Sequence, residues 1–475
     1  MRKIILILLI TILSQNLNSQ TFNVDNSFAN NGIYAQNEYS KLWDNSKIIQ
    51  NEDGSIYFLK QRTDNALNKE LNILVRLQSN GIIDTTFGTN GEVIIDIDKA
   101  DNGLGIRKQT DGKILLCGGV IDTQVVRLLS NGQVDLSFGN NGKTTLIGDG
   151  TNSTLGSMNF LLQNGKIIIY TDVNSNVNVS KIFRLNSNGQ IDNSFGNNGV
   201  VITNAQQILL ESTNNITGLK AINNNTYQIE KYNTDGQAIA SFGTNGVLTS
   251  TSSINFDNII YAFLDANNNL LFTADSNSNS SSLFKILANG SFDNSFLFNY
   301  NTNLFYATCF QHKNGKYYFG GAKMTNSEPN GFLIVKTDEQ GNVDNNFGQL
   351  LDPNINLKYI ESFVINDNNI YVSGTYSDGT TQGKRKIVTK YISSNLTAST
   401  NEINNQFTIE NPISSQLNYK TKDNIEQILL FSIDGKLVKT IKENHSNVSD
   451  LNPGIYITIV KFKNGKNINI KLLKK

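Results

Sequence analysis

The sequence predicts an all-β fold: a seven-bladed β-propeller followed by a small β-sandwich. Three observations lead there. A short phrase recurs seven times at intervals of 47 to 59 residues, 37 Gly against 4 Pro mark a chain built on turns, and the pattern changes after Ile392. The 475 residues allow a large core and more than one domain, and 38% are hydrophobic and regularly spaced, which argues against disorder in an Asn-rich chain. Forty basic residues balance forty acidic ones, so no net field draws the protein to nucleic acid or to an anionic membrane.

The chain opens with Arg2 and Lys3, an apolar run from Ile4 to Leu13, and a polar stretch ending at Ser19. This is the pattern of a secretory signal peptide over residues 1–19, with Gln20 first after cleavage. A core strand is the competing reading. No later run is long and apolar enough for a transmembrane helix, so the mature chain is expected to have no membrane span. Export would permit disulfides. Cys117 and Cys309 nevertheless lie far apart in apolar stretches, and two buried free thiols are expected.

The phrase is clearest at Asp84 to Gly91, Asp135 to Gly142 and Asp192 to Gly199, and weaker copies centre on Phe28, Phe242, Phe296 and Phe347. Each part has a physical task. Phe87, Phe138 and Phe195 are apolar plugs between units. Asp25, Asp84, Asp135 and Asp192 stand three residues before a Phe, where a carboxylate closes an Asx-turn. In the Phe242 copy that place is Ile239, so the loop is expected to close differently. Gly88, Gly139 and Gly196 follow the plug where a side chain would not fit, and the Asn-Gly pair turns the chain into its next strand.

Between phrases, Glu92 to Gly132 reads as four strands: Val93 to Ile97, Leu104 to Lys108, Lys113 to Cys117 and Gln124 to Leu129. Hairpin cues recur at Asp53-Gly54, Asn164-Gly165 and Asn314-Gly315. The unit from Asn204 to Gly236 is short, and one strand is expected to be lost or merged. Four strands per unit of about fifty residues is propeller spacing. The first phrase has no strand before it, and the last strand, Lys386 to Ile392, has no phrase after it. Joined, they complete one more junction, which a closed ring explains and an open solenoid does not.

These phrases resemble the delta-60 repeat, a propeller-type family with no defined reaction, over residues 20–395. After a linker at 396–404, residues 405–475 carry Asn411-Pro412, the Gly435-Lys436-Leu437-Val438 hairpin, Leu451 with Gly454-Ile455-Tyr456, and a lysine-containing last strand. That stretch resembles the C-terminal sorting domain of type IX secretion cargo. Ile409-Glu410 stands where the family usually has an aromatic residue and Pro. The resemblance implies recognition by the outer-membrane translocon and a secreted or outer-membrane surface location. An ordinary adhesive sandwich is the alternative.

No catalytic, cofactor-binding or metal-ligating constellation is visible. His312 and His445 fall in different domains, and His312, beside a turn, is expected to face solvent. The phrase aspartates lack the spacing of an EF-hand, and loop closure accounts for them better than calcium. Gly118-Gly119 and Gly320-Gly321 precede no helix and are not phosphate loops. Trp43, near Tyr39, stacks on a sugar in one reading and packs in the other. Lys384-Arg385-Lys386 reads as a solvated strand end rather than a basic patch. The expected function is a noncatalytic surface module for a glycan, a peptide or a neighbouring surface protein. The alternative is an extracellular enzyme acting on a polysaccharide or another polymer, with no cofactor expected.

Overall fold

The hairpin cues close antiparallel pairs. Asn164 (φ 50°) and Gly165 (φ 78°) both take positive φ, as a two-residue turn requires, and join Phe160–Gln163 to Lys166–Thr171. Asn314 and Gly315 do the same between Phe305–Lys313 and Lys316–Thr325. In the five-residue version, Asp53 accepts the N–H of Ser55 at 2.9 Å and bends the chain from Ile48–Gln50 into Ile56–Asp64.

A computed structural model of the protein describes residues 20–36, 47–64, 69–97, 104–119, 122–146, 160–171, 180–253, 255–256, 259–276, 280–296, 305–325, 328–344, 347, 357–366, 369–377, 384–395, 407–421, 423–432, 436–463 and 467–475. The expected signal peptide, the linker at 396–404, Tyr39, Trp43 and Gly435 lie outside the described residues. Strands make up the regular structure, and no helix occurs among the described residues. The chain divides into two compact units, Phe22–Ser393 and the remainder.

Within the described residues, the first unit is a β-propeller of seven antiparallel sheets in chain order. The innermost strands are Ile48–Gln50, Gly105–Lys108, Phe160–Gln163, Gln207–Leu210, Ile259–Leu264, Phe305–Lys313 and Leu357–Ile365. Seven apolar clusters hold the sheets face to face, each drawing side chains from two successive sheets. Adjacent residues on one strand serve opposite clusters: Tyr57 and Leu59 pack toward the second sheet, and Phe58 packs toward the last. Both faces being covered, a middle strand such as Ile114–Gly118 is buried at every position and reads as a continuous apolar run.

The last sheet closes the ring. Ile33–Ala35 pairs antiparallel with Lys384–Asn395, with Tyr34 opposite Val388. Phe28 packs with Ile48 and Phe58 of the first sheet and Tyr371 and Val388 of the last. The first phrase does have a strand before it: Gln20–Val24 also borders Lys384–Asn395. Sequence patterning missed it because only Phe22 and Val24 alternate in its five residues, too short a pattern to mark a strand without the partner that it packs and pairs with.

The short unit after Asn204 has lost nothing. Gln207–Leu210, Ile216–Asn223, Thr226–Tyr232 and Val247–Thr251 form a complete four-stranded sheet. Its shortness comes from the link between Val200–Thr203 and Gln207–Leu210, which spans only Asn204, Ala205 and Gln206.

In the second unit, Leu437–Ile441, Ile425–Phe431, Gly454–Phe462 and Asn467–Lys474 form one antiparallel sheet in that order. Phe407–Ile409 pairs with Tyr419–Thr421 and Gln416–Leu417 with Ser446–Asn447. Phe407, Ile413, Leu417, Leu430, Val448 and Tyr456 share its core.

Candidate functional site

The repeated phrase gathers polar and charged groups into a clasp between neighbouring sheets. In the Phe138 copy, Asp135 Oδ1 accepts the N–H of Ser137 at 3.1 Å and its hydroxyl at 2.6 Å. The Phe138 N–H then donates to the Asp135 carbonyl, and the Gly142 N–H to the Phe138 carbonyl. The turn drives Phe138, which is fully buried, into the cluster between the second and third sheets. Phe87 and Phe195 fill the junctions before and after, and Phe296 and Phe347 two later ones. Phe242 is half-buried at the edge of its cluster.

Successive clasps interlock. Gly139 (φ +55°) follows the plug, and a Cβ there would come 2.3 Å from the carbonyl oxygen of Lys143. Gly88 and Gly196 stand in the same conformation. The Gly139 N–H donates to the carbonyl of Asn188 in the next phrase, and that phrase's Gly189 lies against the Phe138 ring, 2.9 Å from a Cβ placed there.

The second carboxylate oxygen binds a cation that inspection of the phrase alone missed. Arg127 Nε meets Asp135 Oδ2 at 2.8 Å, and its guanidinium lies 4.5 Å from the Phe138 ring centroid. Arg184 repeats this with Asp192 at 2.6 Å and Phe195 at 4.6 Å. Arg76 pairs with Asp84 at 3.3 Å, Lys336 with Asp344 at 2.9 Å and Lys390 with Asp25 at 2.7 Å. A signal for these cations exists: Arg76, Arg127, Arg184, Lys231, Lys285 and Lys336 each stand eleven residues before a phrase Phe.

Burial pushes the Asp135 carboxyl up, but bonds from Ser137 and Lys113 and the Arg127 charge outweigh it and hold the group at about 2. Asp192 is held below the ordinary range by the same balance, with Lys166, Ser194 and Arg184 against burial. These carboxylates are thus ionised and engaged, which leaves them poorly placed for proton transfer.

The Phe242 copy corrects an expectation. Its backbone turn is the usual one: Phe242 N–H donates to Ile239 carbonyl and Gly246 N–H to Phe242 carbonyl, both at 2.9 Å. Only the charge has moved. Lys231 pairs at 2.8 Å with Glu211, from the hairpin after Gln207–Leu210.

Three other expectations also change. His312 does not face solvent: its Nε2 is buried without a hydrogen-bond partner, and its ring lies 5.1 Å from that of Tyr317. Lys386 is fully buried and paired with Glu361, so it does not belong to a solvated strand end. Cys117 and Cys309 are both free, but only Cys117 is buried and Cys309 is intermediate. Burial pushes the Cys117 thiol up to about 12.

In the second unit, Asn411 Oδ1 accepts the N–H of Leu473 at 2.9 Å. Across Pro412, Ile413 donates to Leu473 and accepts from Lys475, which ties the segment to the last strand. Tyr456 is buried and donates its hydroxyl to the Asn452 carbonyl at 2.8 Å. Gly454 takes φ +152° where the chain enters its strand. Among the described residues no group of three or more His, Cys, Asp or Glu side chains is placed to hold a metal ion.

Two families match the chain. One is described as Domain of unknown function (DUF5122) beta-propeller and covers residues 109–138 and 162–195. The other, Secretion system C-terminal sorting domain, covers residues 411–475. No curated protein matches. Among solved structures, polysaccharide lyase Uly1 is similar at 11% identity and a TM-score of 0.46, over 77% of this chain and 92% of that one. The β-propeller domain of the Trilobed protease from Pyrococcus furiosus is similar at 9% identity and a TM-score of 0.43, over 75% and 97%. A protein of unknown function from Bacteroides caccae follows at 12% identity and a TM-score of 0.34, over 59% and 90%. Likenesses this distant carry no argument about activity. The two family matches do establish the coarse description: a β-propeller with a type IX sorting domain, handled by that secretion system as secreted or outer-membrane surface cargo.

Proposed function

We propose that the protein is a noncatalytic binding module, displayed on or released from the cell surface, whose propeller engages a glycan, a peptide or a neighbouring surface protein. Residues 1–19 act as its leader, residues 20–395 as the binding domain and residues 405–475 as the export tag. The observation that supports a binding role is how the phrase carboxylates are used. Asp25, Asp84, Asp135, Asp192 and Asp344 each face a cation of their own sheet, so the repeated acids serve the clasp rather than a reaction.

A glycan and peptide array probed with the secreted protein, run beside a polymer-degradation assay, tests this reading. Binding without turnover is the expected result. Catalytic release of products from any polymer would replace the reading with the enzymatic one.

A further inference from the structure

The seven sheets act as an internal alignment of the chain. Pairing between the first and second strands sets which inner-strand residues share a level. At one level stand Ile48, Ile106, Phe160, Ile208, Ala262, Phe310 and Phe363, apolar in every sheet. The residue before each is of another kind. Gly105, Gln207, Tyr261, Cys309 and Ser362 face Cys117, Leu219, Thr273, Gly320 and Ser373 of their second strands. Lys47 joins them by accepting the N–H of Leu59. The counterpart in the third sheet, residue 159, lies outside the described residues. This position is mixed in kind beside one that is apolar in all seven sheets: Cys309 packs against the apolar cluster of the last two sheets, whereas Lys47 is charged and Tyr261 stays exposed.

These residues share a space. A closed ring of sheets leaves an axial channel bordered by its innermost strands. Ser362 Oγ of the last sheet lies 3.5 Å from the N–H of Ile48 in the first. Arg107, two residues after Gly105, lies 5.5 Å from the ring centroid of Phe160 in the next sheet. Tyr261 is 39% exposed although it stands on an innermost strand. Burial raises its hydroxyl pKa, and the Arg107 charge, from three sheets away, lowers it in part.

Lys47 and Arg107 differ from the cations of the clasps. The clasp cations face carboxylates, whereas neither Lys47 nor Arg107 has a carboxylate partner among the described residues. Burial and the neighbouring Arg107 charge hold the Lys47 ammonium down at about 8. Unmatched positive charge in a partly desolvated site attracts an anion more strongly than the same charge in open water.

We propose that this level of the channel binds the carboxylate of an acidic oligosaccharide, with Lys47 and Arg107 on the anion and the exposed Tyr261 ring on the sugar face. An aromatic ring beside paired cations suits a flat, carboxylate-bearing sugar better than an acidic peptide, which would need cations in series. The inference rests on the binding reading and names the ligand class.

The test is calorimetric titration of the full secreted chain with an oligogalacturonate of four units, the neutral galactose oligomer of equal length, and tetraglutamate. Oligogalacturonate alone should bind, more weakly as salt rises. Lys47→Gln and Arg107→Gln should each weaken it at least tenfold with an unchanged melting temperature. If Arg107→Gln melts early, Lys47→Gln decides, with Lys47→Arg restoring affinity. Equal binding of the neutral oligomer, tighter binding of tetraglutamate, no binding of oligogalacturonate, or less than a twofold effect of Lys47→Gln would overturn the proposal. Cleavage of bound oligogalacturonate would end the noncatalytic reading and leave the site standing. Failure to bind, with another ligand found on the arrays, would end only this inference.

Discussion

The hydroxyl of Thr389 donates to the carbonyl of Gly32 at 3.0 Å, although 357 residues separate them along the chain. Around that bond, Lys390 pairs with Asp25, and the N–H of Gln36 donates to the Lys386 carbonyl. The first phrase is therefore an outer element of the last sheet, and the ring depends on it.

Paired cysteines at Tyr34 and Val388, which face each other across this junction, should cross-link within the monomer on oxidation. Removing residues 20–31 should empty the Phe28 pocket and expose two sheet faces, producing aggregation by light scattering. A soluble truncation with an unchanged melt, and no cross-link, would mean an open array.

Phe138→Ala should cost roughly 3–5 kcal/mol in urea unfolding, as usual for a buried aromatic. Asp135→Ala should cost a similar ~3–5 kcal/mol, because it strands the buried Arg127 guanidinium as well as opening a turn. Asp135→Ala combined with Arg127→Ala should cost less than the sum of the two. Additive losses in that cycle would show that the pair is not coupled.

The moved charge in the fourth sheet gives a rescue experiment. Glu211→Ala should destabilise by leaving Lys231 without its carboxylate. Adding Ile239→Asp restores an acid where the other clasps keep one, and should recover much of the loss. No recovery in thermal melts would mean that Lys231 cannot reach the phrase.

The lowered Asp135 pKa gives a pH dependence of definite sign. A carboxyl depressed in the folded state contributes its stability above the unfolded pKa, about 3.9. That contribution is lost as pH falls through the folded value of about 2. It amounts to something on the order of 2 kcal/mol between pH 4 and pH 2. Urea melts across that window should steepen for the native chain and flatten for Asp135→Asn. A parallel decline in both would place the acid sensitivity elsewhere.

Deleting residues 405–475 should leave a folded propeller that is not displayed or released. Fusing those residues to a foreign exported protein should carry it through the outer membrane. Normal surface display of the truncated chain, read by protease accessibility, would exclude a sorting role for the C-terminal unit.

What the sequence by itself determined is the part whose causes are local. Asp135 and Ser137, Phe138 with Gly139, and the Asn164-Gly165 turn act within a few residues, so their chemistry is readable in order along the chain. The meeting of the first phrase with Lys386 to Ile392 was readable too, although the strand before that phrase, Gln20–Val24, was not. Only the tertiary structure decided which charges meet. Arg127 reaches Asp135 because the phrase folds back along the strand carrying Arg127, and Glu211 replaces a missing aspartate because its hairpin stands beside Lys231. Lys47, Arg107 and Tyr261 come from three different sheets, and only the folded ring sets how near they stand to one another. Coulomb attraction and desolvation act through space, and the sequence does not record that distance.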